Sequence, residues 1–225
     1  MSNFCINDLA YIEAVDESSI VTNGMVLFWD ASNRKCYYGY ETTVRDLSGQ
    51  GNHGTWTGTP SWNNSSKGVF QFNNGNYIRS TISLYNGQFT IMSAARLTGP
   101  AYRRIIGGVN NNWLLGTWNG AYNKFYSDGW VTNSTNSPPI TTEWRIYTGI
   151  GDTVAASYSF YTNMTLIAGP NGGGTHGPNG IELGGDGQYN ETSNGEVGFL
   201  LMYNRVLNLS EIQQNYNVLK WRFGL

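Results

Sequence analysis

The chain ends in a strong strand signal followed directly by a complete helix signal, and this pairing constrains the fold more than any other feature. Residues 196–203 form an almost unbroken apolar run with the length of a buried strand. Asn208 is suited to cap a helix, and Glu211, three positions later, to complete a capping box. Leu207 and Ile212 are spaced as a hydrophobic staple. The spacing predicts one surface helix late in a domain built of strands.

The predicted helix has two distinct faces. Its apolar residues recur at helical spacing, and its polar residues take the other side. The apolar stripe comprises Leu209, Ile212, Tyr216, Leu219 and Phe223, and the polar face comprises Glu211, Gln213, Gln214, Asn217 and Lys220. The stripe predicts that the helix covers the strands beneath it.

The rest of the chain alternates short aromatic and β-branched runs with turn residues. Glycine supplies 29 of 225 residues, and charged residues only 12%, which favours many turns and many half-buried strands. The predicted strands are residues 25–30, 69–73, 77–82, 89–97, 103–109, 112–118, 121–126, 143–150, 155–161, 164–168, 181–183 and 196–203. So many short strands at this spacing predict an all-β sandwich or barrel.

Composition also narrows the class of partner. The net charge is -2 and no basic block occurs, so we expect no nucleic-acid binding and no attraction to anionic membranes. No apolar run approaches the roughly 20 residues needed to cross a bilayer, and the start does not resemble a signal peptide. Cys5 and Cys36 fall in no metal or redox spacing and are expected to be free thiols.

Residues 1–24 differ from the remainder, which we treat as one domain spanning residues 25–225. The four charges of this segment are all acidic, namely Asp8, Glu13, Asp16 and Glu17, and it carries a short apolar group comprising Phe4, Ile6, Leu9, Tyr11 and Ile12. Three interpretations stay open: an added strand of the same domain, an arm that anchors the protein on a neighbouring subunit, or simple disorder.

Three segments together resemble the concanavalin A-like lectin/glucanase superfamily, in particular its laminin-G-like jelly-roll branch. The first joins residues 24–30 to the turn at 46–55, the second joins 69–73 to 76–78, and the third is the ending from residue 195. The resemblance spans nearly the whole chain from residue 24, although residues 98–180 match only in rhythm. It implies a two-sheet antiparallel jelly-roll β-sandwich with one short C-terminal helix and with its first and last strands side by side.

The residues that perform catalysis in glucan-hydrolysing relatives are missing from this sequence. Those enzymes place two or three acidic residues at alternating positions on one strand, and no Glu-x-Asp-x-x-Glu pattern occurs. The nearest acidic cluster, residues 13–17, lies in the N-terminal segment. His53 and His176 each stand in a glycine-rich turn and are expected to be solvated. We therefore predict that the chain is not an enzyme.

Two clusters are candidates for ligand binding, because members of this superfamily bind sugars with aromatic platforms and amide side chains. The first cluster is Trp113, Trp118, Tyr126, Asp128 and Trp130, and the second includes Asn171, His176, Asp186 and Asn190. The competing interpretation is that the tryptophans fill the core and that the Asn/Gly loops are turns. Some relatives hold calcium through a loop Asp, so Asp46, Asp128 and Asp186 are candidates by type, but no metal ligand or cofactor is assigned.

The combined functional expectation is a non-catalytic structural protein of a virion, a capsid decoration or a tail or fibre component. It would be made in the host cytoplasm, displayed on the virion surface and anchored on other virion proteins through the N-terminal segment. Weak adhesion to host polysaccharide and homo-oligomerisation are secondary expectations. The alternatives are a free carbohydrate-binding lectin and, less favoured, a glycoside hydrolase.

Overall fold

Alternating apolar and polar residues form short strands throughout the part of the chain described by the computed structural model, which comprises residues 19–64, 68–73, 75–99, 103–133, 141–185, 187–189 and 191–225. The strands of the first half are β1 (Met25–Asp30), β2 (Thr43–Val44), β3 (Gly54–Thr57), β4 (Trp62–Asn63), β5 (Val69–Phe72), β6 (Tyr77–Ser83), β7 (Gln88–Leu97) and β8 (Ile106–Gly108). Those of the second half are β9 (Trp113–Trp118), β10 (Ala121–Ser127), β11 (Arg145–Asp152), β12 (Ser157–Thr162), β13 (Thr165–Asn171), β14 (Asn179–Leu183) and β15 (Gly195–Tyr203). One α-helix, α1 (Leu209–Leu219), and a 3-10 turn at Lys220–Phe223 follow.

The strands pair antiparallel in two sheets. The first sheet has the order β13-β12-β11-β7-β15-β5-β4, with β1 also paired to β15, and the second has the order β10-β9-β8-β14-β6-β3-β2. β1 lies beside the last strand, with Phe28 opposite Leu201. The predicted two-sheet antiparallel β-sandwich with one short C-terminal helix is confirmed, as is the adjacency of its first and last strands.

β15 is buried along its whole length because it is covered on both faces. Val197, Leu200 and Met202 enter the core between the two sheets. Phe199, Leu201 and Tyr203 point the other way, into a second cluster that contains the buried residues of α1. The unbroken apolar run in the sequence is thus the expected pattern for a strand with no solvated face.

Helix α1 begins with the predicted capping box. The Asn208 side chain accepts a hydrogen bond from the Glu211 backbone N–H at 3.0 Å, and the Asn208 N–H donates to the Glu211 carboxylate at 2.9 Å. Leu207 and Ile212, the predicted staple, are both buried. The helix therefore starts where its local sequence dictates.

The predicted apolar stripe of this helix is wrong at both ends. Leu209 is 56% exposed, and Phe223 is buried in the 3-10 turn rather than in the helix. Asn215 occupies the centre of the buried face instead, and its side-chain amide donates to the Tyr203 hydroxyl at 3.0 Å. A polar residue is tolerated there because both sides of its amide group have partners, since its oxygen accepts from the Val21 N–H at 2.9 Å.

Residues 19–24, the described end of the N-terminal segment, run along α1 and β15. Ile20 is buried in the cluster under α1, and the Tyr203 hydroxyl donates to the Val21 carbonyl at 2.8 Å. The apolar group Phe4, Ile6, Leu9, Tyr11 and Ile12 lies outside the described residues, as does Cys5. Cys36 is buried, and its Sγ accepts a hydrogen bond from the Asp30 N–H at 3.3 Å.

Several strand predictions needed correction. Only Ile106–Gly108 of the predicted run 103–109 is a strand, since Arg103 and Arg104 turn to pair with Glu191. The short strands β2, β3 and β4 were not predicted because two to four residues are too few to show a period. None of the helices within the described ranges has the length and apolarity needed to span a bilayer.

Candidate functional site

Three connecting segments meet at one end of the sandwich. They are residues 84–87 between β6 and β7, residues 128–133 after β10, and residues 172–178 between β13 and β14. Backbone hydrogen bonds join them: Leu84 N–H donates to the Pro178 carbonyl at 2.8 Å, and Gly177 N–H to the Tyr85 carbonyl at 3.0 Å. Thr175 N–H donates to the Ser127 carbonyl at 2.8 Å. The three segments thus form one continuous surface.

Two glycines allow the second and third segments to touch through their backbones. A Cβ added at Gly129 would lie 2.2 Å from the Gly173 oxygen, and one added at Gly173 would lie 2.1 Å from the Trp130 oxygen. No other residue fits such an approach without displacing a backbone. The side chains that flank these glycines are held close together as a result.

Asp128 and His176, which come from the two predicted clusters, are brought together here. The Asp128 Oδ2 atom accepts from Asn111 Nδ2 at 3.0 Å and lies 3.5 Å from His176 Nδ1. Thr175 Oγ1 donates to the Asp128 backbone carbonyl at 3.1 Å and lies 3.0 Å from His176 Nδ1. Asp128 Oδ1 has no hydrogen bond among the described residues, and the side chain is 22% exposed. One carboxylate oxygen is therefore available to a ligand.

Tyr85 was missed by the sequence analysis and completes this polar group. Its ring stacks on the His176 imidazole with centroids 4.1 Å apart and an interplanar angle of 6°. Both side chains are half-buried. Nothing in the sequence points to Tyr85, because its role depends on the His176 ring, which belongs to a different loop far along the chain.

An aromatic shelf, comprising Trp118, Tyr126 and Trp130, forms where the chain after Asp128 folds back and Trp130 pairs with Tyr126. Trp130 packs edge-to-face on Trp118 at 5.3 Å and on Tyr126 at 5.0 Å between ring centroids. The Lys124 ammonium lies 5.3 Å from the Trp130 ring and donates to the Asn133 carbonyl at 2.7 Å. Burial lowers the pKa of Lys124. We call the shelf together with Tyr85, Asp128, Thr175 and His176 the end site.

The other predicted ligand-binding residues take different positions. Trp113 is fully buried and packs edge-to-face on Phe125 inside the core, so it offers no surface to a ligand. Asn171 ties two segments of the end site together, donating to the Val131 carbonyl at 3.2 Å and accepting from the Gly173 N–H at 3.0 Å. Asp186 and Asn190 lie outside the described residues. The core interpretation of the tryptophans therefore holds for Trp113 but not for the half-buried Trp118 and Trp130.

The carboxylate oxygens of Asp46, a calcium candidate by residue type, already accept hydrogen bonds from the turn that contains it and from β1. Its carboxylate accepts from the N–H groups of Phe28, Ser48 and Asn52 at 2.9 to 3.0 Å and from the Ser48 hydroxyl at 2.7 Å. The exposed His53 accepts from the Asp46 N–H at 3.0 Å, which makes this histidine part of the same turn. Within the described ranges, no group of three or more His, Cys, Asp or Glu side chains is placed to hold a metal ion.

A buried tyrosine lies beneath the end site. Tyr158 is fully buried, and its hydroxyl has no hydrogen-bond partner within the described part of the chain. Burial, and to a lesser degree the charges of Asp152 and Asp128, raises the pKa of Tyr158 to about 12. The hydroxyl is therefore neutral at physiological pH.

No protein-family model and no curated protein sequence matches the chain, whereas solved structures do. A sialidase of Trypanosoma rangeli aligns with a TM-score of 0.61 at 16% identity, over 90% of this chain and 33% of that chain. The binding domain of Paraclostridial Mosquitocidal Protein 1 aligns with a TM-score of 0.61 at 14% identity, over 89% and 53%. A botulinum neurotoxin type C structure, whose cell entry depends on two ganglioside molecules, aligns with a TM-score of 0.59 at 15% identity, over 88% and 51%.

These likenesses concern the fold. The chain spans about a third to a half of the length of the structures it matches. Identities of 14 to 16% carry no residue roles across, so activities and ligands remain those of the matched proteins. The chain shares a two-sheet β-sandwich fold with domains of these structures.

Proposed function

We propose that this chain is a non-catalytic glycan-binding module that holds neutral sugar residues at the end site. The observation that carries the proposal is the Tyr85–His176 stack beside the Asp128 carboxylate, whose two flanking aromatic residues Tyr126 and Trp130 pair across the turn. Aromatic faces pack against the C–H face of a sugar ring, and a carboxylate oxygen accepts hydrogen bonds from sugar hydroxyls. The negative charge of Asp128 disfavours acidic sugars at this position.

The ion pairing of the other carboxylates supports a binding role rather than hydrolysis. Glycosidases place two carboxyl groups on either side of one glycosidic bond, about 5 to 9.5 Å apart. In the described part of the chain, most acidic side chains are instead engaged by arginines, namely Asp30, Glu41, Glu143, Glu182, Glu191, Glu196 and Glu211. A carboxylate held in such a pair is not free to act as an acid or a base.

The matched structures support the proposal at the level of ligand class. One is a binding domain, one is a neurotoxin whose cell entry depends on two ganglioside molecules, and one is a sialidase. The ligands of the last two contain sugars, which agrees with the chemistry of the end site.

The test first measures binding of the protein to a set of immobilised neutral polysaccharides. Calorimetry then measures its affinity for oligosaccharides derived from the polysaccharide to which it binds. We expect Trp130→Ala and His176→Ala to weaken binding at least tenfold, while Leu209→Ala, an exposed change on α1, leaves it unchanged. Thermal unfolding of each variant checks that the sandwich is intact. Equal affinity of all variants, or release of reducing sugar from the bound polysaccharide, would contradict the proposal.

We further propose that the module belongs to a virion, where residues 1–24 anchor it to another virion protein. Its support is the resemblance of the ending to laminin-G-like domains of phage structural proteins and the position of residues 19–24 along α1 at the domain surface. Mass spectrometry of purified particles should detect the chain, and its absence from the particles would contradict the proposal. A chain without residues 1–18 should keep its glycan binding but lose its place in the particle.

A further inference from the structure

The segment between β1 and β2 places exposed aromatic and basic side chains at a second edge of the sandwich. Tyr40 is 82% exposed and Tyr38 48%. The guanidinium of Arg34 lies 4.8 Å from the ring centroid of Trp62 on β4. We call Arg34, Lys35, Tyr38, Tyr40 and Trp62 the Arg34 patch.

This patch and the end site lie on opposite sides of the molecule. β2 and β4 are the last strands of the two sheets on one side, whereas β10 and β13 are the last strands on the other. The Arg34 patch borders β2 and β4, and the end site is built by the loops that follow β10 and β13. The two surfaces are therefore separate, and a ligand on one leaves the other free.

Arg34 is the one arginine that has no carboxylate partner among the described residues. Every other arginine in the described ranges forms an ion pair with Asp or Glu, namely Arg45, Arg79, Arg96, Arg103, Arg104, Arg145, Arg205 and Arg222. The neighbouring Lys35 is exposed and has no carboxylate partner among the described residues either. Counting described residues, this edge carries the cations Arg34, Lys35 and Arg45 and the anion Glu41, a local charge of +2, whereas the whole chain has a net charge of -2.

The guanidinium of Arg34 is held in place before any ligand arrives. Its Nη1 donates to the Tyr38 carbonyl at 2.8 Å, and its planar group lies over Trp62. Trp62 is fixed in turn, because its Nε1 donates to the Ala31 carbonyl at 2.8 Å. A preorganised guanidinium loses little conformational entropy on binding, and its remaining N–H groups match the geometry of a carboxylate.

We propose that the Arg34 patch is a second glycan site, which takes an acidic, carboxylate-bearing sugar residue. The sugar carboxylate pairs with the Arg34 guanidinium beside the Lys35 ammonium, and the sugar ring packs on the exposed faces of Tyr38 and Tyr40. The end site, with its free Asp128 oxygen, takes neutral sugar. The end site therefore selects a neutral sugar and the Arg34 patch an anionic one, and the second site does not depend on the first.

The experiment compares acidic oligosaccharides with the same molecules after esterification. The probes are tri-galacturonate and sialyllactose, each measured by calorimetry beside its methyl ester, which has no charge. We expect at least one acid to bind and its ester to bind at least tenfold more weakly. The affinity for the acid should fall as salt rises, because this ion pair is solvent-exposed.

Variants then locate the binding. Arg34→Gln and Tyr40→Ala should each weaken acid binding at least tenfold, and Arg34→Lys should restore only part of it because an ammonium cannot form the planar bidentate pair. Arg103→Gln, which changes another exposed arginine, is the matched control and should have no effect. Trp130→Ala should leave acid binding intact, which separates this site from the end site.

The proposal is overturned if neither acid binds, if acid and ester bind equally, or if Arg34→Gln binds as well as the wild type. Binding that persists in Arg34→Gln but disappears in Trp130→Ala would assign the acidic sugar to the end site. Thermal unfolding of the variants is expected to match the wild type closely, because both changed side chains are exposed.

Discussion

The end site depends on two residues that have no side chain. Gly129 and Gly173 let two backbones approach so closely that an added Cβ would lie about 2 Å from a carbonyl oxygen in each case. The functional side chains Asp128 and Trp130 flank the first of these glycines, so their positions follow from that contact. Single residues thus determine the geometry of a surface to which three segments of chain contribute.

Gly129→Ala is expected to separate the two segments and to weaken neutral-sugar binding at least tenfold, with a destabilisation of about 1 to 3 kcal/mol from overpacking. Urea unfolding gives the second quantity and calorimetry the first. Gly172→Ala is the matched control in the same loop, since its Cβ would lie 3.5 Å from the nearest atom, which is ordinary contact. A Gly129→Ala variant that binds and unfolds like Gly172→Ala would show that the close approach is not required.

At the scale of elements, α1 is specified by its own N-terminus. The capping box is extended by Arg205, whose guanidinium donates to both oxygens of Glu211 at 2.7 and 2.9 Å. These bonds from Arg205, followed by that from the Asn208 N–H, lower the pKa of the Glu211 carboxyl. One carboxylate therefore links the strand end, the cap and the first turn of the helix.

Glu211→Gln should reduce the free energy of unfolding by about 1 kcal/mol at pH 7. Because the folded-state pKa of Glu211 is lowered, its contribution is fully present above the usual carboxyl pKa and is lost as the pH falls through the folded value. The difference between variant and wild type should accordingly shrink below about pH 4. Urea unfolding from pH 7 to pH 3 measures this, with Glu143→Gln, which alters a largely exposed carboxylate, as the control. A difference that is constant with pH would contradict the role of the charge.

At the scale of the whole molecule, the end of the chain is tied to its first strand by a buried ion pair. Arg222, in the 3-10 turn after α1, donates to Asp30 at the end of β1 at 2.8 Å, and both side chains are at most 1% exposed. Asp30 also accepts from the backbone and hydroxyl of Ser32 at 2.8 Å. This contact closes the outer layer over the first sheet.

Arg222→Met should cost about 3 to 5 kcal/mol, because it leaves the Asp30 carboxylate buried without its cation. Asp30→Asn together with Arg222→Met should recover part of that loss, since an amide oxygen can still accept from Ser32. Denaturant unfolding of the two single variants and the double variant measures the coupling. Arg205→Met removes a more exposed pair and should cost less than about 1 kcal/mol. Additive losses in the double variant would show that the two side chains act independently.

Local patterns in the sequence determined the elements that carry strong periodic signals. β1, β7, β9, β10 and β15 were predicted to within two residues, and the capping box fixed the start of α1. The short strands β2, β3 and β4 were not predicted because so few positions rarely reveal a period, and β8 was predicted too long. The burial of Asn215 was not predicted for another reason: it depends on partners in β15 and in the N-terminal segment that are distant in the chain.

The sequence by itself determined the class of fold, because apolar runs, glycine turns and one capping box are local properties that predict an all-β sandwich or barrel with a late helix. The resemblance to concanavalin A-like proteins narrowed this prediction to a two-sheet sandwich. The sequence also predicted Asp128, His176, Trp118, Tyr126 and Trp130 as candidate residues, though in separate clusters. Only the tertiary structure joined Asp128 to His176, added Tyr85, moved Trp113 into the core and showed Arg34 without a carboxylate partner in the described part of the chain. The physical reason is that both candidate sites are made of loops, whose side chains are brought together by long-range packing rather than by their own spacing.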